Sequence, residues 1–594
     1  MDTMRGPRRP ALRALAIDHG GALVLAVLAY YLWRACPFVV ENDQAEFSTL
    51  SAIGGVAHPP GYPLHVLWLR AWSWLPVASP ALAASIATAL AGAAAVLVLH
   101  AAARAWGARP LAATAAVGMY ALAPLVARYH TMAEVFAINH LVIAGVLWLA
   151  AERGPLRGTT RAVVLGLVAG LGLSNHLTCV LVAPVGLLGL VRAARDRSWA
   201  WAVPAAMLGL ALGLLPYGYL LIAPDNLAGN RVPHGLGDII DLFLRRAYGG
   251  PLAFSQAGAD VPAQAYLADL GHSLGVAWSW VLLPAACVGL GAGMVRPAGE
   301  SRGAWIALAA SVALAGPILA LRFDLPLDSY GRWVTARFHL MPATLLVLPV
   351  SIGLDRITQI VAPRMPARLV APGLIGALVV LGLVVRAAAT LPYLERHQTP
   401  ALENVAKNLL LSLPPQAILV GGVNEIDVGI RYQQLARGVR SDVLYFRLEG
   451  LLVDWYRARL VPYGIDFVPT AGEDFRVRFA EYVMATGRPL FMGLGYGAGL
   501  DPLPRFPHGM AIRVLPRGAT PPSLREVSTL NERLFGAFDL AYLRPGLDDD
   551  AATWMHQIYE TVWRQIATSL GRAGDRAAMS RAEAIADQLA PTTD

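Results

Sequence analysis

Eleven apolar runs, most of them close to the ~20 residues that a helix needs to cross a bilayer, punctuate the first 390 residues of this chain. They fall at about 18–38, 80–102, 111–127, 136–151, 162–175, 178–193, 200–222, 276–294, 303–321, 338–354 and 369–390. A soluble domain could not hide that much apolar surface. The chain is 56% hydrophobic and only 15% charged, against about 25% charged in ordinary soluble domains. The sequence therefore predicts a polytopic, mainly helical membrane protein.

Charge fixes the expected orientation. Arg5, Arg8, Arg9 and Arg13 precede the first run, which carries no small-residue cleavage site and is read as a retained helix with a cytoplasmic N-terminus. The short even-numbered connections all hold arginine: Arg104 and Arg109; Arg153, Arg157 and Arg161; Arg192, Arg195 and Arg197; Arg296 and Arg302; Arg356, Arg364 and Arg368. This is the pattern of cytoplasmic loops, and it accounts for the net charge of +8 without nucleic acid. Runs 162–175 and 178–193 are short and flank Asn175-His176, which allows a hairpin in place of two full crossings. Segment 62–78, with three tryptophans and Arg70, reads as an amphipathic helix in the outer interface. Cys36, Cys179 and Cys287 are odd in number and widely spaced, so no disulfide framework or zinc pattern follows.

From residue 393 the character changes. Four β-rich runs, at 417–420, 442–446, 489–493 and 511–515, alternate with helical segments, and residues 550–588 read as two amphipathic helices. The division is a membrane part, 1–392, and a soluble α/β part, 393–594, ending in helices. An odd number of spans places the soluble part outside the cytoplasm, together with the Gly-, Pro- and Asp-rich loop 224–275.

The polar residues at the outer helix ends are the candidate site. Asp43, Glu46 and His58 follow the first run; Arg128, His130 and Glu134 follow the third; Asn175 and His176 sit between the fifth and sixth; Arg332 and Arg337 precede the tenth. Gathered on one face, they predict a polar cavity with carboxylates for proton transfer and Arg or His for an anionic group. Each has a plainer reading. Asp43 and Glu46 could be a solvated loop, His130 and Glu134 an i, i+4 pair, and Arg128, Arg332 and Arg337 interfacial anchors. A divalent cation at Asp43, Glu46 and Glu134 is the less favoured reading, and no cofactor or metal site is assigned. Phosphate-binding glycine loops, the Gly-x-Ser-x-Gly elbow and His-Glu-x-x-His are missing from the sequence.

Taken in order, these residues resemble a known family. Asp43-Gln44-Ala45-Glu46-Phe47 followed by His58-Pro59-Pro60-Gly61-Tyr62-Pro63 is similar to the "D-S-G-E-F … H-P-P-G-Y-P" signature of a bacterial membrane family, formerly of unknown function. Its animal relative is the transmembrane O-mannosyltransferase of the endoplasmic reticulum. Ala133-Glu134-Val135-Phe136, Gly172 to Thr178, Arg337-Phe338 with Pro342, Arg431-Tyr432-Gln433-Gln434 and Arg440-Ser441-Asp442-Val443 match further motifs. Gln44-Ala45 departs from the signature, as does Asn424-Glu425-Ile426-Asp427, where relatives are richer in Asp.

The resemblance implies a GT-C glycosyltransferase of the bacterial inner membrane. Such an enzyme moves a sugar, mannose among the candidates, from a polyprenyl phosphate to a hydroxyl on protein or glycan at the outer face, with inversion. It implies Asp43 as base with Glu46 second. His58, Tyr62, His130, Glu134, Asn175 and His176 would line the sugar and acceptor pocket, and Arg337, Arg128 and Arg332 would meet the donor phosphate. The competing expectations are a transporter or flippase for a lipid-linked sugar, which should show repeated halves, and a non-catalytic assembly protein, which should not depend on Asp43.

Overall fold

The computed structural model describes residues 19–250, 260–297, 299–366, 372–421, 424–470, 475–494 and 499–593. Arg5, Arg8, Arg9, Arg13 and Arg368 lie outside the described residues. Membrane-type helices dominate the first two thirds, as the apolar runs require.

The expected eleven crossings are not reproduced by helix length. Among the described residues, five helical runs are long and apolar enough to cross: Pro80–Ala105, Leu177–Asp196, Trp199–Leu221, Ala263–Val295 and Gly373–Ser412. Two bent pairs raise this to seven: Pro110–Ala121 with Pro124–His130 at 72°, and Ser329–Leu345 with Val347–Arg364 at 46°. Gly20–Trp33, Phe136–Ala150 and Arg302–Ile318 are apolar but shorter. At 1.5 Å per residue, the 15 residues of Phe136–Ala150 reach only about 22 Å, short of a ~30 Å hydrocarbon core. Proline has a hand in one bend, because Pro124 cannot donate a backbone hydrogen bond to the preceding turn.

Glycine sets how closely some helices meet. Helices Gly158–Asn175 and Trp199–Gly213 touch backbone to backbone: a Cβ on Gly166 would strike the carbonyl of Ala206, and one on Gly209 the carbonyl of Val163. Such contacts replace the hydrophobic drive that lipid removes. The segment expected to lie in the interface instead starts as a buried helix, Pro63–Arg70, with His65, Val66 and Leu69 in the core. The outward face is confined to its end, where Arg70 and Trp74 are exposed.

The soluble part is built on a five-stranded sheet, β1 (Ile418–Val420), β2 (Leu444–Phe446), β3 (Leu490–Gly493), β4 (Arg505–His508) and β5 (Ala511–Val514), in the order β2-β1-β3-β5-β4. β1 runs parallel to β2 and β3, whereas β5 is antiparallel to β3 and β4. Alternate side chains face two cores. Leu419, Tyr445 and Phe491 pack with helices Ala401–Ser412, Ala551–Arg572 and Arg576–Leu589, while Ile418, Val420, Phe446 and Met492 pack with Asp454–Leu460 and Arg476–Ala485. β4 escaped the sequence reading because Pro507 argues against a strand; the structure tolerates it at the sheet edge.

The two parts are tightly joined. The amide of Val39 donates to Glu403 Oε2 at 3.1 Å, and Arg459 reaches from the soluble part to the carbonyls of Gly229 and Asn230 at 2.8 and 2.9 Å. Segment 39–53 and loop 224–232 are thereby pinned against the soluble part, and the candidate site lies at their junction.

Candidate active site

The segment after the first apolar run is not a loop. Asn42–Ile53 is a helix whose N-terminal turn carries Asp43, and Gly54 ends it with φ 77°, a conformation that glycine accommodates without cost. One turn on from Asp43, Glu46 turns toward the returning chain. Glu46 Oε1 accepts from the His58 amide at 3.0 Å and Oε2 meets His58 Nδ1 at 2.5 Å. Tyr62 then enters the next helix with φ 43°, its ring against those of Phe47, His58 and His176. The rigid His-Pro-Pro-Gly-Tyr-Pro turn thus forms an aromatic wall.

Above this wall lies a cavity of about 420 Å³. Its polar lining is Asp43, His58, Tyr62, Glu134, His176, Thr178, Arg245, Tyr248, Tyr330 and Arg337. Its opposite side is apolar, with Leu177, Val180, Leu181, Leu319 and Leu325. Asp43 Oδ2 accepts from the Arg337 guanidinium at 2.8 Å, and that guanidinium lies 3.9 Å over the Trp333 ring. A planar cation stacked on indole and held by a carboxylate is well placed to receive a phosphate oxygen.

Electrostatics separates the acids. Burial raises the Asp43 carboxyl, but the charges of His58 and Arg337 outweigh it and hold Asp43 below its ordinary value. His58 is pushed up to about 9: burial opposes its charge, and Glu46 and Asp43 overcome that. Glu134 goes the other way. Burial lifts its carboxyl well above the usual range, and Asp43 and Glu41 add to the effect. Two carboxyls shifted in opposite directions thus face the same cavity, a division suited to separate roles.

A second cleft of about 260 Å³ adjoins the first. Asp43, His58 and Tyr248 line both, so the Asp43 carboxylate stands in a common wall. Glu46 faces this second cleft, together with Asp427, Arg431 and Arg447 of the soluble part.

Four candidates from the sequence do not reach either space. His130 is fully buried, with Nδ1 3.1 Å from the Tyr31 hydroxyl and Nε2 2.8 Å from His140 Nδ1, and does not pair with Glu134. Asn175 is buried and donates to the Val135 carbonyl at 3.0 Å, bracing the turn that presents Glu134. Arg128 is buried between Glu41 at 2.9 Å and Asp550 at 2.6 Å, and Glu41 also accepts from the Trp333 indole at 2.7 Å. Arg332 is exposed, five residues before Arg337 and so on a different side of the helix. Two residues absent from the sequence reading, Arg245 and Tyr248, come in from loop 224–275. Two arginines in a row at 245–246 were the available signal, masked by the length of the loop. Among the described residues, no group of three or more His, Cys, Asp or Glu is arranged to hold a metal ion; Asp43, Glu46 and Glu134 each turn to different partners.

With this geometry in view, comparisons place the chain. Residues 43–200 match the Protein O-mannosyl-transferase TMEM260 N-terminal domain. Over this stretch the chain is similar to TMEM260. The mouse Protein O-mannosyl-transferase TMEM260 is 24% identical over 461 residues, 74% of this chain and 63% of the mouse protein. The Dictyostelium discoideum Protein O-mannosyl-transferase tmem260 is 24% identical over 292 residues, 45% of this chain and 35% of that protein. The match thus spans less than two thirds of either TMEM260 relative. ArnT from Cupriavidus metallidurans, solved bound to undecaprenyl phosphate, superposes with a TM-score of 0.51 at 15% identity, covering 84% of this chain and 99% of ArnT. At that identity the likeness is one of fold, that of a mainly helical protein with several helices long and apolar enough to cross a membrane.

Proposed function

We propose that this protein is an inverting glycosyltransferase that moves a sugar from a polyprenyl phosphate to a hydroxyl on a protein acceptor, at the outer face of the membrane. The observation that carries the reading is the position of Asp43: an ionised carboxylate in the wall between a half-apolar, arginine-bearing cavity and a polar cleft. The names of the TMEM260 relatives favour mannose and a protein acceptor, and the ligand of ArnT favours a polyprenyl phosphate.

In this mechanism the lipid phosphate enters from the apolar side. Arg337 and Arg245 receive its charge, and the neutral Glu134 carboxyl donates to a sugar hydroxyl. Arg337 then exchanges one anion for another. As it turns to the phosphate, Asp43 loses its main cationic partner among the arginines and becomes a stronger base. The acceptor oxygen attacks the anomeric carbon, its proton passes to Asp43, and the carbon–oxygen bond to phosphate breaks with the electron pair leaving on the phosphate. One displacement needs one base and gives inversion.

The test is to incubate purified protein with a panel of polyprenyl-phosphate sugars and an acceptor peptide, following release of the polyprenyl phosphate and the anomeric configuration of the product. Transfer with inversion is expected. Failure to bind or turn over any lipid-linked sugar would overturn the reading.

A further inference from the structure

We propose that Trp554 of the soluble part is a positioning residue of the donor cavity: it sets the Trp333 indole and, through it, the Arg337 guanidinium; this deepens the transferase reading and rests on it. Helix Ser329–Leu345 brings Tyr330 and Arg337 to the cavity, with Trp333 between them in sequence. The Trp333 side chain is buried and gripped from three directions. The Arg337 guanidinium lies 3.9 Å over its ring, its N–H donates to Glu41 Oε2 at 2.7 Å, and the Trp554 ring meets it at 87° with centroids 5.9 Å apart. The Trp554 ring also lies 5.6 Å from that of Tyr330, which lies 5.5 Å from that of Trp333. Two rings from the membrane part and one from near the end of the chain thus close a cluster at the cavity rim. Trp554 stands far outside residues 43–200, where the family likeness was found.

Trp554 is itself held in place. Asp550 caps the start of its helix, Ala551–Arg572, and the Trp554 amide donates to the Asp550 carbonyl at 3.3 Å. The Asp550 carboxylate accepts from Arg128 at 2.6 Å and meets His397 Nδ1 at 3.2 Å, on helices Pro124–His130 and Pro372–His397 of the membrane part. Asp550 keeps φ at 50°, a strained value that persists where the surroundings over-determine it. These ion pairs fix where the helix sits, and the ring one turn later decides how Trp333 is oriented. Packing alone does not call for a ring there, because Trp554 is only half-buried. Edge-to-face rings prefer a direction that an aliphatic side chain cannot impose, and a cation over an indole follows the tilt of the ring beneath it. A tilt of Trp333 therefore turns the planar guanidinium out of register with a phosphate in the cavity, and leaves the acceptor side unaffected.

The experiment measures polyprenyl phosphate binding to the full-length protein in detergent, by displacement of a labelled analogue, with thermal unfolding to show that each variant folds. Trp554→Leu and Trp554→Met keep apolar bulk and remove the ring; each should weaken binding about five- to tenfold. Trp554→Phe should restore most of the affinity. In an Arg337→Ala background the same ring-free changes should weaken binding no further, since they act through that arginine. In turnover, donor KM should rise and acceptor KM stay. Wild-type affinity in both folded ring-free variants would overturn the proposal. So would a Phe variant as weak as the Leu variant, or losses that simply add to that of Arg337→Ala. Trp554-dependent binding by a protein that transfers no sugar would leave the positioning role standing and remove the transferase reading. A wild-type protein that binds no polyprenyl phosphate would remove both.

Discussion

Asp43 and Arg337 stand 2.8 Å apart, a carboxylate on the first outer helix and a guanidinium on Ser329–Leu345, brought together from opposite ends of the membrane part. Against the upward push of burial, the His58 charge, the larger of the two, and the Arg337 guanidinium hold the Asp43 carboxyl below its ordinary value.

Replacing Asp43 with Asn keeps the size and removes the base. Turnover should fall by about 10²–10⁴-fold, the range for loss of a positioned general base. Polyprenyl phosphate binding should persist, since Arg337 is released from its partner. Near-normal turnover, read as sugar transfer per minute, would remove Asp43 from the mechanism.

Arg337→Ala and Arg245→Ala should each raise the apparent KM for the lipid donor by about tenfold or more, through loss of a charge-assisted contact to phosphate. Acceptor KM should move little. Steady-state kinetics with each substrate varied in turn separates the two; an effect confined to the acceptor would reassign the arginines.

His58 should give the activity a basic limb. Its value is raised from 6.5 to about 9, so its charged form and the pairing with Glu46 are fully present below about 6.5 and lost as pH rises through about 9. Both kcat/KM and thermal stability should decline over that window. A His58→Gln variant should lose this limb, and an unchanged profile in that variant would place the titrating group elsewhere.

Arg128→Ala should act on stability rather than on donor affinity. Its removal leaves buried Glu41 with only the Trp333 indole and Asp550 with only His397 among the described residues, at a cost of up to about 3–5 kcal/mol for breaking such a pair. Thermal unfolding in detergent should show a lowered Tm. A variant of normal Tm with raised donor KM would return Arg128 to the phosphate site.

The distinction between Arg128 and Arg337 shows where the sequence stopped. Both are arginines at the outer end of an apolar run, and nothing local separates them. The difference lies in partners far along the chain: Asp550 and Glu41 neutralise Arg128, while Trp333 and Asp43 hold Arg337 at a cavity. His130 likewise has its partners, Tyr31 and His140, on other helices. Arg245 was missed because a long polar loop carries no periodicity to aim a side chain.

The sequence by itself determined the membrane class, the β-runs that became β1, β2, β3 and β5, and the stiff turn at Pro59-Pro60-Gly61. Those follow from residue hydrophobicity, period-two patterning and backbone restriction, which act over a few residues. Only the tertiary structure decided how long each helix is, which cations remain at the cavity, and that the soluble part closes a second cleft over Asp43. These depend on close helix contacts and on charge pairs between residues hundreds of positions apart, such as Asp43 with Arg337, and no local pattern encodes them.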